Sequence, residues 1–185
     1  QRYINLLKTT LGWYPTEVNQ SQLNLLDSHD VPRALHTLKG DIAALKLALL
    51  LLFLQPGAVC LYYGTEVGLD GGPEPRCREA FPWNENWSID LREFLKSLFL
   101  MRKKNIYWIE RGLHWQSFGE DGLCGRGIYS AKKTSQNERG FSAFLNRSRR
   151  SWLKVEEGPN ALVLSIGKYE PMGRGLAPQS AVVFY

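Results

Sequence analysis

Histidine, cysteine and methionine are scarce in this chain: its 185 residues hold 3, 3 and 2 of them. Cys60, Cys77 and Cys124 cannot all pair with one another and none is spaced C-x-x-C, so neither a disulfide scaffold nor a zinc site is expected. Free thiols suit a reducing cytoplasm, the expected location. His29, His36 and His114 do not fall at metal-ligand spacings, which counts against a metal-dependent phosphohydrolase and leaves no metal site to assign. Long apolar runs are missing too. The greasiest stretch, Leu45 to Leu54, stops at Gln55, well short of the roughly 18 residues a membrane span needs. The opening residues do not read as a basic, apolar, small-residue secretory signal. A basic tract is absent although the net charge is +5, because the 23 Lys and Arg are dispersed; no nucleic-acid partner is expected. The densest clusters, Arg102-Lys103-Lys104 and Arg147, Arg149, Arg150, read as a solvated helix end and an exposed hairpin.

What is present is enough apolar content, 44%, for a sizeable core. Asp41 before Ile42 is placed to cap a helix that Pro56 and Gly57 terminate. Short apolar runs lie on either side of it, Leu23 to Leu26 and Ala58 to Tyr62, the pattern of parallel strands covered on both faces. A second helix is predicted from Ile89 to Lys104, where Leu91, Phe94, Leu95, Leu98 and Met101 recur at three and four residues. Strand, helix, strand, helix implies a parallel sheet with loops gathered at the strands' carboxyl ends. After Asn105 the texture changes to short alternating runs: Leu113 to Phe118, Gly127 to Lys132, Phe141 to Asn146, Trp152 to Val155, Ala161 to Ile166 and Ala181 to Phe184. Gly, Asn, Ser and Pro clusters separate them at hairpin-like spacing, so this half reads as an antiparallel β-sandwich, with a boundary near residues 105 to 110.

His29 and Asp30 stand just beyond the Leu23 to Leu26 run, in a loop that Pro32 restrains. Two readings are open on spacing alone. The pair can satisfy loop backbone groups, or a pinned carboxylate there can hold substrate hydroxyls and favour a positively charged sugar. Arg33 can clamp a carboxylate or approach a sugar hydroxyl.

The stretch NLLDSHDVPR, Asn24 to Arg33, resembles the fourth signature region of the α-amylase superfamily of glycoside hydrolases. QPGAVCLYYGTEVG, Gln55 to Gly68, is similar to that superfamily's last barrel strand and following turn. GLDGGPEPRCREAFPW, Gly68 to Trp83, resembles the neopullulanase, cyclomaltodextrinase and maltogenic amylase branch. The resemblance implies an α/β part, residues 1–107, formed by the last units of an incomplete (β/α)8 barrel, followed by an all-β sandwich over 108–185. By the same resemblance Asp30 is the catalytic carboxylate that stabilises the transition state, and His29 binds the sugar being cleaved. Glu74, standing where the branch usually has aspartate, pairs with Arg78 near donor-side sugars, and Trp83 stacks on a glucose ring. Packing within the loop is the other reading for Glu74, Arg78 and Trp83.

A retaining glycosidase needs two carboxyl groups about 5 Å apart, a nucleophile and a general acid and base. Asp30 would be neither, and nothing in Gln1 to Gln22 resembles a strand that carries them; Tyr3 to Leu11 looks like a helix. The expectation is therefore a carboxyl-terminal piece of a longer α-glucan hydrolase or transglycosylase acting on maltodextrins, cyclodextrins or pullulan, inert without its amino-terminal part. The alternative is a non-catalytic carbohydrate-binding or assembly module presenting Trp83, Trp87, Trp108 and Trp115, although most of these can fill cores. The implied partners are a maltooligosaccharide or α-glucan and the remainder of the same enzyme. Exposed strand edges would also permit pairing of identical chains. No cofactor is expected in this segment, a calcium site being a matter for residues outside it.

Overall fold

The fold was obtained as a computed structural model that describes residues 2–83, 87–118, 122–127, 141–148, 162–170 and 175–184. Two helices open it, α1 (Arg2–Gly12) and α2 (Thr16–Gln20), followed by strand β1 (Leu23–Asn24) and the single-turn helix α3 (Ala34–Thr37). Helix α4 spans Ile42–Phe53, and the Asp41 carboxylate accepts the Ala44 amide at 3.0 Å, satisfying one of the four orphan donors of its first turn. The helix ends at Phe53, and four residues on Gly57 turns to φ +91°; a Cβ there would stand 2.5 Å from the Gln22 carbonyl oxygen, so the close approach requires glycine.

Strand β2 (Ala58–Val59) follows and pairs in parallel with β1, Leu23 opposite Ala58 and Asn24 opposite Val59. Both strands are shorter than their apolar runs, because the ladder closes with the Cys60 amide on the Asn24 carbonyl (2.8 Å) and the chain then bends into loops. Among the described residues they are also not covered on both faces. Val59 and Leu61 pack against the core shared with α4, whereas Leu23 is 62% exposed and Leu25 and Leu26 are also open. Among the described residues the pair forms a sheet of two strands, so only the helical side has a layer to receive its side chains.

Helix α5 runs over Ile89–Glu110, capped by Ser88, and buries Leu91, Phe94, Leu95, Leu98 and Met101 as its periodicity predicts. It continues past Lys104 with a break at Asn105 (φ −116°, ψ 19°), whose side-chain amide donates to the Met101 carbonyl at 2.9 Å. Arg102 departs from the expected solvated helix end. Its side chain is only 11% exposed and its guanidinium donates to the carbonyls of Phe53 (2.6 Å), Gln55 (2.8 Å) and Gly57 and to Glu110 Oε1 (2.7 Å). The second Glu110 oxygen accepts the Gly57 amide at 3.0 Å. Burial lowers the Arg102 pKa from its ordinary value, against the opposing pull of Glu110. Lys103 and Lys104 remain exposed.

Beyond α5 lie β3 (His114–Phe118), β4 (Gly122–Gly127), β5 (Phe141–Asn146), β6 (Leu162–Ile166), β7 (Tyr169–Glu170), β8 (Gly175–Leu176) and β9 (Ser180–Phe184). The described residues form one five-stranded antiparallel sheet, ordered β3-β4-β5-β9-β6, and a two-stranded ribbon of β7 and β8, rather than the two large facing sheets expected of a sandwich. The side-chain period of two explains the arrangement. Trp115, Phe141, Ala143, Leu145, Ala181 and Val183 join the core of α4 and α5 on one face. On the other, Cys124, Phe144, Val182 and Phe184 pack with Leu176 of the ribbon. The expected Trp152 to Val155 strand lies outside the described residues, as does all but Gly127 of the expected Gly127 to Lys132 strand. The division expected at 107 and 108 falls inside α5, and one hydrophobic core joins the residues on either side of it. Trp108 and Trp115 are buried in that core. No helix among the described residues is long and apolar enough to cross a membrane.

Candidate functional site

The site is built from the loops that leave the carboxyl ends of β1 and β2. Asp27 begins the first of them and is buried, 3% exposed. Its Oδ2 accepts the Ala34 amide at 2.8 Å and its carboxylate also takes the Thr65 hydroxyl (3.1 Å to Oδ2). One carboxylate therefore closes the span from residue 27 to 34 and attaches it to the 3₁₀ turn Thr65–Val67 after β2. Within the span, Ser28 Oγ accepts the Asp30 amide at 3.2 Å, a local turn that projects the next side chains outward.

A second attachment comes from the 3₁₀ turn Arg76–Arg78. The His29 carbonyl accepts hydrogen bonds from Arg78 Nε (3.0 Å) and from the buried Cys77 thiol (3.2 Å). Arg78 Nη2 then faces both Glu74 Oε1 (3.1 Å) and Asp30 Oδ1 (3.5 Å). His29 Nε2 lies 3.1 Å from the same Asp30 oxygen. His29, Asp30, Glu74 and Arg78 are thus one cluster, brought together from residues up to 49 positions apart.

All four members are open to solvent; the Asp30 side chain is 65% exposed. Exposed ion pairs add only about 0–1 kcal/mol each to stability, so the cluster is not what holds these loops. Its charge is the relevant property. Two carboxylates share a single guanidinium, which leaves a net negative charge when His29 is neutral. Such a rim attracts a cation developing beside it and offers several acceptors and donors to hydroxyl groups.

Arg33 and Trp83 are placed elsewhere. Arg33 is fully buried, with its guanidinium carbon 4.6 Å and 4.8 Å from the ring centres of Tyr62 and Tyr63. It clamps no carboxylate among the described residues; Nη1 donates to the Tyr63 carbonyl at 2.6 Å. Trp83 is 75% exposed and belongs to an aromatic cluster with Phe81, whose tilted ring is centred 4.6 Å away and meets Trp87 edge-on. The Tyr63 hydroxyl donates to the Glu79 carbonyl at 2.9 Å. Asp27, Thr65 and Cys77 were not singled out as site residues by sequence reasoning. Asp27 lies inside the LNLLDSHDVPR stretch, and an acid closing an apolar run was its only local signal.

Residues 2–148 match the family profile described as Alpha amylase, catalytic domain. A cyclomaltodextrinase of Geobacillus thermopakistaniensis (strain MAS1) is 39% identical over 103 residues, covering 55% of this chain and 18% of that protein. An intracellular maltogenic amylase of Bacillus subtilis is 40% identical over 101 residues, 54% of this chain and 17% of that protein. The matched stretch of this chain therefore spans about a sixth of the length of these relatives. Among solved structures, the debranching enzyme from Nostoc punctiforme superposes with a TM-score of 0.78 at 27% identity, covering 99% of this chain and 39% of that one.

Proposed function

The chain belongs to the alpha-amylase family and shares its TIM-barrel-type fold, and from that premise we propose that it supplies part of the active site of a retaining glycoside hydrolase or transglycosylase. The substrates are α-glucans: maltodextrins, cyclodextrins or pullulan. Asp30 is the carboxylate that stabilises the oxocarbenium-like transition state, and His29 holds a hydroxyl of the sugar being cleaved. Glu74 and Arg78 contact the neighbouring donor-side sugar. The observation that supports this most is the exposed cluster, two carboxylates on one guanidinium, in which Asp30 is oriented from three sides, by its own turn, by His29 and by Arg78.

The nucleophile and the general acid and base, which must stand about 5 Å apart, come on this reading from residues outside this chain. A cytoplasmic location accords with the free thiols and with the word intracellular in one relative's name. The chain alone is expected to leave a chromogenic maltoside uncleaved. In the longer protein that carries it, Asp30→Asn should lower kcat about 10²–10³-fold, the scale of losing one aligned electrostatic stabiliser. KM for maltoheptaose should change little, because the contact strengthens in the transition state. A kcat within threefold of the parent would sink the assignment.

Trp83, exposed and backed by Phe81, favours one second reading, a sugar-binding module without its own chemistry. Calorimetry of this chain with maltoheptaose separates the two. Saturable heat that disappears in Trp83→Ala would support the binding module.

A further inference from the structure

The buried guanidinium of Arg33 is the group that the site described above leaves unused. It is fully excluded from solvent, it meets no carboxylate among the described residues, and its Nε and Nη2 have no hydrogen-bond acceptor there. A filler chosen for stability at such a place would be apolar, since an ion buried without its counter-ion costs free energy. The faces of Tyr62 and Tyr63 offset part of that cost.

What Arg33 does have is reach. Its amide donates to the Gly71 carbonyl at 2.9 Å, and Nη1 donates to the Tyr63 carbonyl. Gly64 and Gly71 leave room for its side chain. A Cβ at Gly64 would stand 3.2 Å from Nη1, and one at Gly71 would stand 3.2 Å from the Arg33 Cδ and 2.5 Å from the Arg76 carbonyl oxygen. The backbone at Gly71 is therefore gripped between Arg33 and the turn that carries Arg78. Arg33 lies three residues beyond Asp30 in the same loop.

We propose that Arg33 is a positioning residue: packed against Tyr62, Tyr63 and Gly71, it ties the loop bearing His29 and Asp30 to the loop bearing Glu74 and Arg78 and so sets the distance between Asp30 and Arg78. It touches no sugar. This role rests on the reading of Asp30 given above, and the test keeps the two apart by using one measurement that does not depend on activity.

Hydrogen exchange of this chain is compared for the parent, Arg33→Met, Arg33→Lys and Gly71→Ala. Exchange should rise in both 28–33 and 74–79 for Arg33→Met and Gly71→Ala, with α4 unchanged, and Arg33→Lys should recover part of the protection through a hydrogen bond from its ammonium to the Tyr63 carbonyl. In the longer enzyme, Arg33→Met should lower kcat about 10–100-fold, the effect of a small misplacement of a reacting group, with KM within twofold. Faster exchange in only one of the two loops would overturn the proposal. So would a raised KM at unchanged kcat, which would make Arg33 a ground-state sugar ligand. Faster exchange in both loops together with an active Asp30→Asn enzyme would uphold the coupling and remove the catalytic reading instead.

Discussion

Replacing Arg102 with alanine takes away a cation that four acceptors share: the carbonyls of Phe53, Gln55 and Gly57, at the end of α4 and in the turn into β2, and the Glu110 carboxylate. The Phe53 carbonyl is among the last of a helix, which have no intrahelical partners of their own, and those of Gln55 and Gly57 lie in the turn that follows. Glu110, 27% exposed, would keep only the Gly57 amide among the bonds of its carboxylate. Removing one member of a largely buried, hydrogen-bonded ion pair costs about 3–5 kcal/mol. For a chain of this size about 1 kcal/mol moves Tm by roughly 2–4 °C, so Arg102→Ala should lower Tm by roughly 6–20 °C in calorimetry or a circular-dichroism melt. Arg102→Lys keeps the charge but loses the planar fork, and should recover less than half of the deficit. Hydrogen exchange should quicken first at Gly57 and Ala58, whose amides lie in the clamped turn and at the start of the parallel ladder. A drop in Tm below about 3 °C for the alanine variant would refute the reasoning, since the guanidinium would then be contributing no more than an exposed pair does.

Asp27→Ala removes the carboxylate that closes the 27 to 34 span and leaves the Ala34 amide and Thr65 hydroxyl without their acceptor; each unpaired buried group costs about 1–3 kcal/mol, to be read as a lower urea midpoint, with Asp27→Asn losing less. The Tyr3 phenol is pushed above its ordinary 10.0 by burial, against the pull of Arg147. A raised value in the folded state means that the neutral phenol is favoured there, so its contribution is complete below pH 10 and is lost as pH rises through the folded value. Tyr3→Phe should therefore show a shallower loss of stability on the alkaline side in pH-dependent urea melts, and an unchanged alkaline slope would count against the assignment.

The features legible in the sequence are those that a few neighbouring residues decide. Asp41 and the Pro56-Gly57 pair bound α4 through contacts three or four residues away, and the leucine spacing of α5 selects its buried stripe without reference to the rest of the chain. The alternation in 141–146 and 181–184 likewise sorts residues onto the two faces of a sheet. Asp30, His29, Glu74 and Arg78 were named from short motifs, and the fold brings these four into one cluster. Tertiary structure alone decided the fate of Arg33, fully buried, and of Arg102, whose side chain is only 11% exposed. Nothing in Arg102-Lys103-Lys104 distinguishes the residue that enters the protein from the two that stay in water; the carbonyls that receive it lie 45 to 49 positions away. Arg33 and Asp27 depended in the same way on partners across the sheet, Tyr63 and Thr65, because the free energy of burying a charged group is set by what surrounds it in space. Local pattern can specify a helix end or a strand face; whether a charge faces solvent or binds two loops together is settled only when distant segments meet.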